Sequence, residues 1–136
     1  MSRVLIVDDE PDILLMLRVN LEADGFETSL AADGETALAR LDEGNVDVVL
    51  LDVMMPVMDG WGVLGELGGR SGAPRVIVVS ARSSERDRAR ALELGAAAFV
   101  AKPFSPSELS NLVTRVIGMS SDEVDAQRSA ELARYR

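Results

Sequence analysis

The sequence predicts an α/β fold: a doubly wound, five-stranded parallel sheet in the order 2-1-3-4-5, with helices on both faces. Three observations predict it. Valine-rich runs at residues 4–7, 46–51 and 76–79 are nearly continuous in apolar side chains and too brief for ordinary helices, which marks strands buried on both faces. Amphipathic segments of helical length alternate with them, and such alternation requires parallel strands joined by right-handed crossovers. The strand segment that comes second in the chain has one wet face, so it belongs at an edge beside the first, with three strands following on the other side.

Each element has its own reason. The first strand, residues 4–7, runs into Asp8 and Asp9, and the first helix, 11–23, opens on Pro11 and carries Leu14, Leu17 and Leu21 on one stripe. The second strand, 26–31, alternates Phe26, Thr28 and Leu30 with Glu27 and Ser29, as an edge strand does. A helix over 34–42 presents Ala37, Leu38 and Leu41; the third strand, 46–51, then leads to Asp52, and a third helix covers 59–67. The fourth strand, 76–79, ends at Ser80 and is followed by a helix over 84–94. Residues 97–101 form a short fifth strand suited to the opposite edge, which runs into Lys102, and a helix over 107–117 carries Leu109, Leu112, Val113 and Val116. Gly25, Gly44, Gly95 and Gly118 stand where a left-handed residue closes a helix. This divides the chain into a domain over residues 1–118 and a C-terminal tail over 119–136. In the tail, residues 122–135 suit a short helix capped by Ser121, with Val124, Arg128, Glu131, Leu132 and Tyr135 near one face. The expectation is a solvated or loosely docked appendage, the alternative being the start of a linker toward an effector region.

Composition removes several function classes. With 136 residues, 47% apolar, the chain is one domain's worth and long enough to bury a core. Its 23 acidic and 14 basic residues leave a net charge of -9, which repels nucleic-acid phosphates and anionic lipid, so no direct nucleic-acid or membrane partner is expected. The absence of Cys and His excludes a thiolate nucleophile, a catalytic imidazole, an ordinary zinc site and a disulfide. An apolar run of four residues at the amino terminus is too short for a signal peptide, and a cytoplasmic location is expected.

Lys102 is the only lysine; every other basic residue is arginine. A compact ammonium on a flexible stem suits a single anionic oxygen, where a planar guanidinium prefers a two-pronged partner. Asp8 and Asp9 end the first strand, Asp52 the third, Ser80 the fourth and Lys102 the fifth, so all face one rim of the sheet. Neighbouring strands lie roughly 4.8 Å apart, close enough for the carboxylates to repel unless a cation sits between them. Oxygen-only ligands point to Mg2+. The fifth strand is roughly 10 Å from the third, a distance that only a long side chain spans. Singly, each residue has a plainer use as a cap, turn or solvated side chain; their convergence carries the reading.

At this point the chain resembles the receiver domain of bacterial two-component response regulators, a flavodoxin-like fold. The strings that carry the resemblance are VLIVDDEP at 4–11, LLDVMMPVMDG at 50–60, VVSA at 78–81 and FVAKPF at 99–104. The resemblance implies that Asp52 is the phosphoacceptor and that Mg2+ is held by Asp9, by Asp8 through water, by Asp52, and by the Met54 backbone carbonyl. It implies that Ser80 and Lys102 bind phosphoryl oxygens, that Ser80 and Phe99 form a switch, and that the bond before Pro103 is cis. The donor would be a sensor histidine kinase or a histidine phosphotransfer protein. The chain would then be no enzyme beyond Mg-dependent self-phosphorylation and weak self-dephosphorylation. Phe99 lacks the hydroxyl of the frequent tyrosine, and Met54 offers no polar side chain to orient water. By analogy with slower receivers, the hypothesis is a phosphorylated lifetime of minutes or longer; complete radiolabel decay within seconds at neutral pH with magnesium would defeat it.

Rival chemistries fit less well. A haloacid-dehalogenase-type phosphatase wants a second Asp two residues after the nucleophile, where Met54 stands, and a flavin carrier wants a phosphate-cradling loop where Asp8, Asp9, Glu10, Pro11 and Asp12 would repel phosphate. A receiver-like interaction module without phosphoryl turnover is the remaining alternative. The expected output route to an unidentified downstream protein is the surface of the fourth helix, fifth strand and fifth helix, where Arg82, Arg86, Arg88 and Arg90 cluster. The same surface is a candidate for a homodimer.

Overall fold

The computed structural model describes residues 2–54, 60–68 and 72–135. Its elements follow in the order β1 (Arg3–Val7), α1 (Pro11–Ala23), β2 (Glu27–Ala31), α2 (Gly34–Asp42), β3 (Val48–Asp52), α3 (Gly60–Gly68), β4 (Arg75–Ser80), α4 (Glu85–Glu93), β5 (Ala98–Ala101), α5 (Pro106–Gly118) and α6 (Ser121–Ala133). The five strands make one parallel sheet in the order β2-β1-β3-β4-β5. Residues 55–59 of the quoted string, with the expected helix start at Asp59, lie outside the described residues.

Period-two alternation along buried strands divides the interior into two layers. Leu5, Val7, Val49, Leu51, Val76 and Val78 pack with Ala37 and Leu41 of α2, Val63, Leu64 and Leu67 of α3 and Ala91 of α4. Val4, Ile6, Val48, Leu50, Ile77 and Val79 meet Leu14, Leu17 and Leu21 of α1 and Leu109, Val113 and Val116 of α5 on the other face.

Local chemistry sets the boundaries. Pro11 and Pro106 stand in first turns, and Asp33, Ser84, Ser105 and Ser120 accept hydrogen bonds from the amides of Thr36, Asp87, Glu108 and Glu123. β3 starts two residues later than its apolar run, because Gly44 and Asn45 are left-handed in succession (φ 83° and 66°) and only Asp47 begins pairing, through its amide to the Arg3 carbonyl. Gly25, Gly44 and Gly95 have positive φ, as expected, whereas Gly118 is instead the last residue of α5 and Met119 leaves the helix in extended conformation. The tail helix begins one residue earlier than expected, capped by Ser120 rather than Ser121 in a reciprocal capping box with Glu123. Its Val124 is buried at 7% exposure and the helix packs on α4, so it is docked rather than solvated. No helix among the described residues is long and apolar enough to cross a membrane.

Candidate functional site

Parallel strands deliver their carboxyl ends to one rim, and β1, β3, β4 and β5 each place a polar residue there. Asp8 follows β1 at 3% exposure, Asp52 ends β3 at 4%, and Ser80 ends β4 fully buried. Such burial of two carboxylates demands compensation. Lys102 provides it from two strands away: Nζ lies 2.9 Å from Asp8 Oδ2 and 3.2 Å from Asp52 Oδ2. The other oxygens are held locally and alike, because Asp8 Oδ1 accepts the Glu10 amide at 2.9 Å and Asp52 Oδ1 accepts the Met54 amide at 2.8 Å. Each carboxylate is therefore fixed in plane by the backbone two residues on and bridged to its partner by one ammonium.

The charges do not balance, since one ammonium faces two buried carboxylates. Desolvation is the main cause that pushes the Asp52 carboxyl up from its ordinary value, with the Asp8 charge adding, against the Met54 amide and Lys102. For Lys102, burial acts downward, but hydrogen bonding and attraction to Asp8 and Asp52 outweigh it, and its pKa is raised. The ammonium stays charged.

Asp9 is exposed, and carboxylate oxygens of Asp8, Asp9 and Glu10 all lie within 4.8 Å of one another. Glu10 also stands 4.0 Å from Lys102 Nζ, a participant that the sequence reading did not single out. Its signal was there in the acidic string at 8–10, but only the turn into α1 shows that it faces the same rim. Oxygen-only donors, with negative charge in excess of the single lysine, fit a hard divalent cation such as Mg2+.

Ser80 Oγ accepts the Arg82 amide at 3.1 Å, so its own O–H remains as a donor, and the Lys102 amide donates to the Ser80 carbonyl at 2.8 Å. Met54 is exposed, and its amide, rather than its side chain, touches Asp52. The Lys102-Pro103 bond is cis. Phe99 lies on β5 opposite Val78, half-buried, with the Arg88 guanidinium 5.0 Å from its ring centre. Arg90 lies 4.2 Å over the Trp61 ring, so two of the four arginines expected on the output surface, Arg88 and Arg90, stack on aromatic rings.

Gly60 closes the quoted string at 50–60, but the sequence reading gave it no role of its own. A Cβ there would sit 2.4 Å from both the Asp52 carbonyl oxygen and Val53 Cα, so α3 begins in direct backbone contact with the phosphoacceptor candidate's own peptide. Its amide donates to the Val53 carbonyl at 3.3 Å.

A family model for the response regulator receiver domain matches residues 4–114. The chain is 43% identical over 126 residues to sensory transduction protein RegX3 of Mycolicibacterium smegmatis, covering 93% of this chain and 55% of that protein. It thus spans about half the length of such relatives. Among solved structures, a CheY-like response regulator receiver domain from Methanospirillum hungatei superposes with a TM-score of 0.82 at 28% identity, over 93% of this chain and 98% of that one. Response regulator TrrA of Thermotoga maritima, solved in complex with Mg2+ and BeF, gives 0.76 at 35% identity, over 85% and 99%.

Proposed function

Because the chain belongs to the response regulator receiver domain family, we propose that Asp52 accepts a phosphoryl group from a phosphohistidine and that the modified protein signals through a protein-protein surface. The observation that carries this reading is the Lys102 ammonium bridging Asp8 and Asp52. The donor is a sensor histidine kinase or a histidine phosphotransfer protein, and the setting is cytoplasmic. No separate substrate is turned over: the chain is itself the acceptor and its own slow phosphatase.

The Met54 amide holds the Asp52 carboxylate in one orientation while an oxygen attacks phosphorus in line. One O–P bond forms as the donor's P–N bond breaks, and the electron pair leaves on an imidazole whose second nitrogen carries a proton. With acetyl phosphate the departing group is acetate. Lys102 then hydrogen-bonds a phosphoryl oxygen, and Ser80, one strand from Asp52, donates its hydroxyl proton to another. Asp8, Asp9, Asp52 and the Met54 carbonyl would hold Mg2+, which when bound neutralises charge on the acceptor and on the transferring group.

A protein donor needs a surface beside Asp52. Leu15 and Val19, 61% and 58% exposed, form a stripe on α1, the helix that follows directly from Asp9 and Glu10, and exposed Met54 lies beside Asp52. Large apolar side chains standing in water at helical spacing suit a partner helix.

Incubation with magnesium and acetyl phosphate, followed by intact mass measurement, tests the reading. Wild type gains one phosphoryl mass and D52N gains none; equal gain in both, or gain in neither, overturns it.

A further inference from the structure

α6 packs on α4 but leaves a cavity of about 210 Å3 between itself and the domain. Leu92, Phe99 and Leu112 floor it from the domain side, and Glu131 and Tyr135 of α6 stand opposite. Leu92 is buried and the other two floor residues are half-buried, so the floor is apolar. A space of roughly 150 Å3 lined by aliphatic and aromatic side chains takes up benzene. One ring therefore fits here, with room for a polar group beside it.

The charged side chains decide which polar group. Arg88 and Arg115 both reach the lining, against a single carboxylate, that of Glu131. Glu131 is already engaged: Arg134 Nη1 lies 3.2 Å and 3.3 Å from its two oxygens, and the Tyr135 hydroxyl donates to it at 3.4 Å. Arg88 holds its guanidinium 5.0 Å from the Phe99 ring centre and donates from Nε to the Ser83 carbonyl at 3.1 Å. Both of its Nη groups are left without a hydrogen-bond partner among the described residues. Arg115 is exposed and forms no ion pair among the described residues. The lining is thus positive within a chain whose net charge is -9. A guanidinium edge matches a carboxylate through two parallel hydrogen bonds, and stacking on a ring fixes the guanidinium plane while leaving that edge open.

We propose that this cavity binds a small aromatic monocarboxylate, its ring against Phe99 and Leu112 and its carboxylate between Arg88 and Arg115. None of the lining residues belongs to the rim of Asp8, Asp52, Ser80 and Lys102, and filling the cavity needs no phosphoryl chemistry. Because the domain and α6 both contribute walls, an occupant ties the helix to the domain. It gives the chain a chemical input that Asp52 does not read.

Benzoate is the probe, with benzamide as its uncharged counterpart and acetate as the charge without the ring. With the full chain at constant ionic strength, benzoate moves the amide resonances of Phe99, Leu112, Arg115 and Tyr135 saturably and raises the Tm. It also slows amide hydrogen exchange across Ser121–Ala133 several-fold. Benzamide and acetate bind at least tenfold more weakly. R115Q, altered at an exposed position, melts like the free wild type and loses at least tenfold in benzoate affinity. Resonance changes that fail to saturate at millimolar benzoate overturn the site. Equal binding of benzamide overturns carboxylate recognition, equal binding of acetate overturns the aromatic class, and equal affinity of R115Q and wild type places the anion elsewhere and overturns the proposal.

Discussion

Lys102 stands between Asp8 and Asp52 with its ammonium within 3.2 Å of both, and three groups this close behave as one unit. Removing the cation by K102M leaves two buried carboxylates facing each other, a loss of about 3 kcal/mol in chemical denaturation. Adding D52N to K102M recovers part of that loss, and full additivity of the two changes would disprove the coupling. D52N alone acts in the opposite direction. The folded pKa of Asp52 is raised, so the proton is bound more tightly in the folded state. Stability is therefore highest below the unfolded pKa and falls as pH climbs through the folded one. At neutral pH without divalent cations, D52N is expected to be more stable than wild type by roughly 1 kcal/mol. Melting curves at acid pH should show that advantage vanish.

At the scale of elements, α3 is placed by what Gly60 lacks. G60A drives a methyl group into the Asp52 and Val53 backbone, neither of which is a flexible side-chain end, at a cost of about 2 kcal/mol or more. Its distinguishing mark is a second effect: acceptance of phosphoryl from acetyl phosphate slows beyond what the lost stability explains, because the contact is to the acceptor's own peptide. α5 is tied down by an arginine from the sheet, for Arg75 Nη1 donates to the carbonyls of Val116 and Ile117 in its last turn, where the Met119 amide also donates to Val116. α1 and α5 are joined by the Ser110 hydroxyl donating to Asp24. α6 depends on its cap. S120A removes the acceptor for the Glu123 amide, and several-fold faster hydrogen exchange confined to α6 is the expected outcome. Backbone and side-chain hydrogen bonds with Ser120 hold the Glu123 carboxyl below its ordinary value, so its support is present above the unfolded pKa and is lost as pH falls through the folded one.

The whole molecule carries a net charge of -9 and concentrates Asp8, Asp9, Glu10 and Asp52 at one rim beside a single lysine. A dication that binds only the folded arrangement raises global stability by about 2.7 kcal/mol at a hundredfold excess over its dissociation constant. Thermal melts with and without magnesium are expected to show the increase in wild type and a much smaller one in D9N. An equal increase in both would place the ion elsewhere.

Strand number, order and the residues at the rim were legible in the sequence because parallel strands buried on both faces leave unbroken valine-rich runs. The same polypeptide direction then sends every run toward one edge of the sheet. Asp8, Asp52, Ser80 and Lys102 could be named from that alone, and so could the inward side of α6, since helical periodicity is a local property. The contact of Gly60 with Asp52, the place of Glu10 beside Lys102, the hold of Arg75 on α5 and the packing of α6 on α4 were decided only by the tertiary structure. Each depends on the separation between elements distant in sequence, and periodicity carries a residue's direction but not what it meets.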